Sequence, residues 1–210
     1  GKFNNNGGMI KAAGGDVSLQ NGVTISGGTL ASSGSNVIKT LAGQNTTLDG
    51  TGLGGITLAG TYQGVNNSST YLSGTINNTG QVQINSTGSN TWLYLANGTH
   101  LTGGGTITLS DSSTNFITGT SGTDVVTNVN NTIQGAGRIG FGGSFLFINE
   151  SGNVINANGT SQLMITPTTN ASTVAAYGGG FVNHGTLQAT NTGGLVLSGG
   201  KFNNNGGTIR

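Results

Sequence analysis

The chain has 210 residues, 42 of them Gly, with 5% charged side chains, a formal net charge of +1, one Pro and no Cys. A soluble domain commonly carries about 25% charged residues, so amides and hydroxyls must solvate most of this surface. The six Lys and Arg are scattered along the chain, which excludes an electrostatic nucleic-acid binder. No apolar run nears the roughly 20 residues of a membrane-spanning helix, so no direct membrane insertion is expected.

Good helix formers are scarce, whereas Gly, Asn, Thr and Ser are costly inside helices or compete for their backbone hydrogen bonds. Disorder would favour Pro and high net charge. This chain instead carries β-branched and aromatic runs such as "TWLYLA" (91 to 96), "SFLFIN" (144 to 149) and "GLVLSG" (194 to 199).

In chain order, "GKFNNNGG" opens the sequence and is followed by short alternating runs: "DVSLQ" (16 to 20), "GVTIS" (22 to 26), "GITLA" (55 to 59), "QVQIN" (81 to 85) and "QLMIT" (162 to 166). Each ends near Gly, Asn or Ser, the pattern of short half-buried strands between tight turns. A phrase recurs among them: "GGTLAS" at 27, "SGTINN" at 73, "GGTITL" at 104, "NNTIQG" at 130, "HGTLQA" at 184 and "GGTIR" at 206.

Equivalent apolar positions recur at a steady interval: Ile10 to Leu30, Phe181 to Phe202, Leu187 to Ile209. A period of about 20 to 22 residues fits one coil of a parallel β-solenoid, each coil resting on the last at about 4.8 Å. The prediction is therefore all-β, a single-stranded parallel β-helix of nine or ten coils. A sandwich would want longer strands, although Asn-Gly pairs at 21, 97 and 158 are hairpin signals. The wider interval from Ile76 to Ile107 implies an irregular coil or a looped-out insertion.

The opening phrase returns at 200 to 207, and over eleven residues nine positions agree at an offset of 199. Residues 1–199 then form one solenoid unit and residues 200–210 the start of the next tandem copy. Asn and Gly tolerate left-handed backbone, so Asn4, Asn5, Asn6, Gly7 and Gly8, with Asn203, Asn204, Asn205, Gly206 and Gly207, are expected to turn corners. Stacked Asn amides can also hydrogen-bond from coil to coil.

Alternation assigns faces. In "TWLYLA" a narrow bore favours Leu93 and Leu95 inside, leaving Trp92 and Tyr94 outside. "FLFI" stays open, with Phe145 and Phe147 on one face and Leu146 and Ile148 on the other. Exposed Trp92 and Tyr94, with Tyr71 and Tyr62, form a candidate contact stripe for glycans or a partner protein.

Evidence for chemistry is thin. The carboxyls Asp16, Asp49, Asp111, Asp124 and Glu150 are more than ten residues apart from one another, although stacking could bring Asp111 and Asp124 together; glycoside hydrolysis needs two such groups within several ångströms. His100 and His184 have no Cys or evident acid partner, and a zinc site needs three or four ligands. "GAGRIG" around Arg138 looks like a phosphate-loop fragment, but a Gly-rich chain produces such matches by composition. The expectation is no enzyme, no cofactor and no metal.

Coils written "N-x-GTL-x-A…L-x-L-x-GG-x-F-N-N-x-G", clearest from Phe181 to Arg210, then in Gly1 to Gly28 and Asn130 to Gly140, resemble the β-helical shafts of bacterial surface proteins such as filamentous haemagglutinin-like exoproteins and autotransporter passenger domains. The resemblance implies a right-handed solenoid, export to the cell surface, and a role as an adhesin or stalk; with the duplicated phrase, the first expectation is a shaft or filament unit that meets neighbouring copies end to end. A shaft that also binds host glycans or surface proteins is the alternative. A β-helical carbohydrate-active enzyme comes third.

Overall fold

The computed structural model describes residues 1–142 and 145–210; Ser144 of "SFLFIN" lies outside them. The described residues form a parallel β-solenoid of nine coils. Strands succeed one another around three faces in fixed order. Face A begins with Lys2–Asn4, face B with Met9–Ala12 and face C with Val17–Leu19, and each next coil repeats that order up to Leu195–Leu197, Phe202–Asn203 and Thr208–Ile209. In the fourth coil one strand, Ser69–Asn78, bends across a corner and serves both A and B. Face C is a separate sheet of nine strands.

Alternation sets the interior. On face C one inward position reads Val17, Ile38, Tyr62, Val82, Ile107, Ile133, Ile155, Leu187, Ile209 from the first coil to the last. Faces A and B contribute equivalent rows, so the core is a column of aliphatic layers, and Leu93 and Leu95 lie within it at 0% exposure. "FLFI" resolves the same way: Phe145 and Phe147 point inward, and Phe147, Phe181 and Phe202 sit in register over one another. Their ring centroids are 5.6 and 5.8 Å apart. Each layer is covered only by the layers above and below, so stability propagates between neighbours.

Three register pairs expected from the sequence are present: Ile10 with Leu30, Phe181 with Phe202 and Leu187 with Ile209. Ile76 and Ile107 do not belong to one row. Ile76 lies on face B under Leu101, and Ile107 on face C over Val82, so their wide separation reflects a change of face. The looped-out insertion sits higher up, where Phe147 and Phe181 are neighbours although the chain between them is much longer than an ordinary coil. It contains the helix Ala171–Tyr177, capped by the Asn170 side chain, which accepts from the Thr173 backbone N–H, and by Gly178 in left-handed conformation.

Asparagine holds the corner between faces B and C. Asn128, Asn149 and Asn183 occupy one inward position in successive coils. Asn128 Nδ2 donates to Asn149 Oδ1 at 3.0 Å, Asn149 Nδ2 to Asn183 Oδ1 at 2.9 Å, and Asn183 Nδ2 to Asn204 Oδ1 at 2.7 Å. From below, Asn78 Nδ2 donates to Asn131 Oδ1 at 2.8 Å, and the Asn131 backbone N–H donates to Asn128 Oδ1. A buried primary amide has donors and an acceptor to satisfy, and a stack of identical amides satisfies them mutually.

Candidate functional site

The two copies of the repeated phrase build the same turn. In both, the backbone of the third Asn donates to the side chain of the first, Asn6 to Asn4 Oδ1 and Asn205 to Asn203 Oδ1, each at 3.1 Å. Gly8 N–H donates to the Asn5 carbonyl at 2.8 Å and Gly207 N–H to the Asn204 carbonyl at 3.1 Å. The middle Asn amides return to the carbonyls of Gly8 and Gly207. Gly7 and Gly206 take φ of 71° and 80°, a conformation Gly adopts without steric cost. The ten turn residues singled out in the sequence are thus corner residues, although Asn4 and Asn203 also end short strands.

The second surface is an aromatic stack on the outside of face A. The alternation of "TWLYL" turns Trp92 and Tyr94 outward, and register sets Tyr71 beside Tyr94 and Phe116 beside Trp92. The rings are nearly parallel, with interplanar angles of 10° for Tyr71–Tyr94, 13° for Tyr94–Trp92 and 19° for Trp92–Phe116. Centroid separations along that path are 4.7, 5.4 and 4.1 Å. Phe141 closes one end edge-on, at 5.7 Å from Trp92 and 5.3 Å from Phe116. Partial burial and the neighbouring Tyr71 push the Tyr94 hydroxyl above its usual range.

Tyr62 does not belong to this stripe. It occupies an inward position of face C at 2% exposure, and its hydroxyl lies 2.6 Å from Thr40 Oγ1 and 3.2 Å from Thr70 Oγ1. A phenol can enter an aliphatic column because two buried threonines supply its polar partners. Phe116 and Phe141 complete the stack, and no sequence pattern marks them. Phe116 lies one coil on from Trp92, and only the register makes them neighbours.

Because the rings lie on one another, their faces are largely spent within the stack. What remains outward is ring edge, together with Phe141 at 49% exposure. A sugar ring stacks on an open aromatic face, so this geometry suits packing against a partner surface better than a row of sugar platforms. Replacing Trp92 by Ala removes three of the ring contacts and is expected to cost about 2 kcal/mol, below the roughly 3–5 kcal/mol typical of fully buried aromatics. Urea titration with the Leu93–Leu95 core intact by circular dichroism checks this; a loss under about 0.5 kcal/mol would show that the stack adds nothing to stability.

No protein-family model matches the chain, and no curated protein or solved structure is significantly similar to it. Its function has to be read from its own side chains.

The four aspartates serve as local ties. Asp16 pairs with Lys39 at 2.6 Å and accepts from the Val37 backbone; these bonds hold its carboxyl below the usual range. Asp49 accepts from Ser26 and Ser73 on the coils either side and from Thr51. Asp124 caps its own turn through Thr120 and Ser121. Asp111 reaches two coils up, accepting from the Thr160 hydroxyl and from the backbone N–H groups of Thr160 and Ser161. His184 Nδ1 lies 2.9 Å from the Asn205 carbonyl. Among the described residues no three His, Cys, Asp or Glu gather in a metal-binding group.

"GAGRIG" is a corner. Gly135 and Gly137, at φ 118° and 132°, carry the chain from face C to face A with one residue between. A Cβ on Gly135 would stand 1.9 Å from the Leu109 carbonyl oxygen, and one on Gly137 2.4 Å from that of Asn115. Asp111 passes this tight corner to reach Thr160.

Hydrogen bonds from Thr160, its hydroxyl above all, and from Ser161 depress the Asp111 carboxyl from 3.8 to about 2. A depressed folded-state value means that stability is present above the unfolded value and disappears as pH falls through the folded one. The difference between the natural chain and Asp111→Asn is expected to be full at pH 5 and to shrink between pH 4 and 2. Thermal melts across that range check it, and a difference unchanged at pH 2 would contradict it.

Proposed function

We propose that this chain is a structural segment of an exported bacterial surface shaft, in which the 199-residue unit repeats end to end and each copy lengthens a stiff rod. The observation that carries this reading is the duplicated phrase: nine of eleven residues recur, and both copies close through the same Asn and Gly hydrogen bonds. Eight coils and one face per unit correspond, at the inter-strand spacing, to a rod of roughly 40 Å per unit. The solenoid supports the reading because its stabilising contacts run along one axis. In this role the chain performs no chemistry and needs no cofactor, and its partners are its own neighbouring copies.

The test is a chain of two copies, residues 1–210 followed directly by residues 12–210, measured by small-angle scattering. The maximum dimension is expected to rise by roughly 40 Å at unchanged cross-section. Two globules flexibly joined, with a broadened cross-section, would overturn the rod reading.

The aromatic stack of face A supports a second reading, adhesion to host proteins or glycans through Phe141 and the edges of Tyr71, Trp92 and Tyr94. Binding to immobilised host-surface glycoproteins that Phe141→Ala and Trp92→Ala both abolish would favour it. Binding unchanged in both variants would remove it.

A further inference from the structure

The two copies of the phrase do not lie on the same face. In the first, Lys2–Asn4 belongs to face A and Met9–Ala12 to face B, paired with Val23–Ser26 and Gly28–Ser32. In the second, Phe202–Asn203 belongs to face B and Thr208–Ile209 to face C, paired with Phe181–Asn183 and Thr186–Ala189. One unit therefore advances eight coils and one face.

We propose that consecutive units in the shaft are each turned by one face, about a third of a revolution, so that the C-terminal coil of one copy receives the next copy rotated and the original orientation returns at every third unit. This rests on the tandem-shaft reading above and adds to it a specific interface and a helical distribution of the side surfaces.

The interface is chemically matched in that phase. In the first copy Ile25 covers Phe3 and Leu30 covers Ile10. The duplicated Phe202 and Ile209 are inward in the same way, in register with Phe181 and Leu187. The next copy would bring its own Ile25 and Leu30 over them. On face A the inward Leu195 and Leu197 would meet Val17 and Leu19 of the following copy. Counted at the 199-residue offset, that Leu19 lies as far beyond Leu197 as Phe202 lies beyond Phe181. A junction that kept the faces aligned would need Leu195–Leu197 expelled from face A, because Leu197 and Phe202 are too close in sequence to occupy one face in successive coils.

The faces are not alike. Face A carries the aromatic stack, whereas the outside of face C is an amide lattice in which Gln63 Nε2 donates to Gln83 Oε1 at 3.1 Å and Gln83 Nε2 to Gln81 Oε1 at 2.7 Å. Turning each unit by one face would wind the aromatic stacks around the shaft, so that no side of it is uniformly apolar. A partner that binds the stack would then find one on any given side once every three units.

Paired cysteines test this in the two-copy chain, which has no cysteine of its own. Outward residues on adjacent parallel strands stand close enough for a disulfide. Val196→Cys in the first copy with Ser18→Cys in the second is expected to oxidise in most molecules, and Gln188→Cys with the same Ser18→Cys not at all. Asn203→Cys in the first copy with Ser26→Cys in the second reports only that the solenoid continues across the junction. Free-thiol counts and mobility on non-reducing gels read each pair, with circular dichroism confirming that every variant folds. Oxidation of the Asn203 pair without the Val196 pair, or oxidation of the Gln188 pair, overturns the rotation while leaving the shaft intact. Failure of all three pairs overturns the shaft reading and the rotation with it.

Discussion

Replacing Asn149 by Ala is expected to lower stability by about 3 kcal/mol, far beyond the effect of an ordinary polar-to-Ala change. Asn149 is fully buried and joins the ladder on both sides, accepting from Asn128 and donating to Asn183. Its removal strands a donor on Asn128 and an acceptor on Asn183, and each unsatisfied buried group costs roughly 1–3 kcal/mol. Asn128 retains its bond to the Asn131 carbonyl, which keeps the expected loss in the lower half of the combined range. Urea titration measures the loss, and a value below about 1 kcal/mol would mean that the ladder is satisfied locally within each coil. Hydrogen exchange adds a spatial check: amides near residues 128, 149 and 183 should open first, while the opening coils retain their protection.

Phe147→Ala should cost about 4 kcal/mol, within the range for removing a fully buried aromatic ring. Phe147 is 0% exposed and touches Phe145 edge-on at 5.7 Å and Phe181 at 5.6 Å. The column is narrow, Phe145 is itself buried and Phe181 is held in register with Phe202 on its other side, so the vacated space cannot close fully. Phe147→Leu restores most of the volume and is expected to recover more than half of the loss. Equal losses for Leu and Ala would show that ring stacking, and not volume, is what the position requires.

These two sites also mark how far the sequence can be read. Alternation and the steady interval between apolar positions are enough to predict parallel coils, the inward Leu93 and Leu95, and corners made of Asn and Gly. They are not enough to align coils of unequal length. Ile76 and Ile107 read as one row because both follow a Gly-Thr or Gly-Gly-Thr phrase, but that phrase precedes face B in some coils and face C in others. The helix Ala171–Tyr177 escapes a sequence reading because Thr173 and Val174 are weak helix formers; its signals are the Asn170 cap and the terminal Gly178, inconspicuous in a chain where both residue types abound.

The candidate surface is half legible for the same reason. Outward aromatics in one strand follow from period two, which identifies Trp92 and Tyr94, and Tyr71 sits in register with Tyr94. Phe116 joins them through a pairing one coil away. Tyr62 is misplaced by the sequence because its inward position is tolerable only with Thr40 and Thr70 as hydroxyl partners, and their proximity is a product of the fold. The ladder of Asn128, Asn149 and Asn183 shows the converse: stacked amides are expected in general, but which asparagines face inward depends on the register of face B.

The most direct test of a shaft stabilised along its axis is urea unfolding of the one-copy and two-copy chains under identical conditions. If coils gain stability from the coils that cover them, joining two copies covers a pair of apolar end layers, and the two-copy chain unfolds in one steeper transition at higher urea. An unchanged midpoint and slope would mean that the copies fold independently and would contradict the shaft.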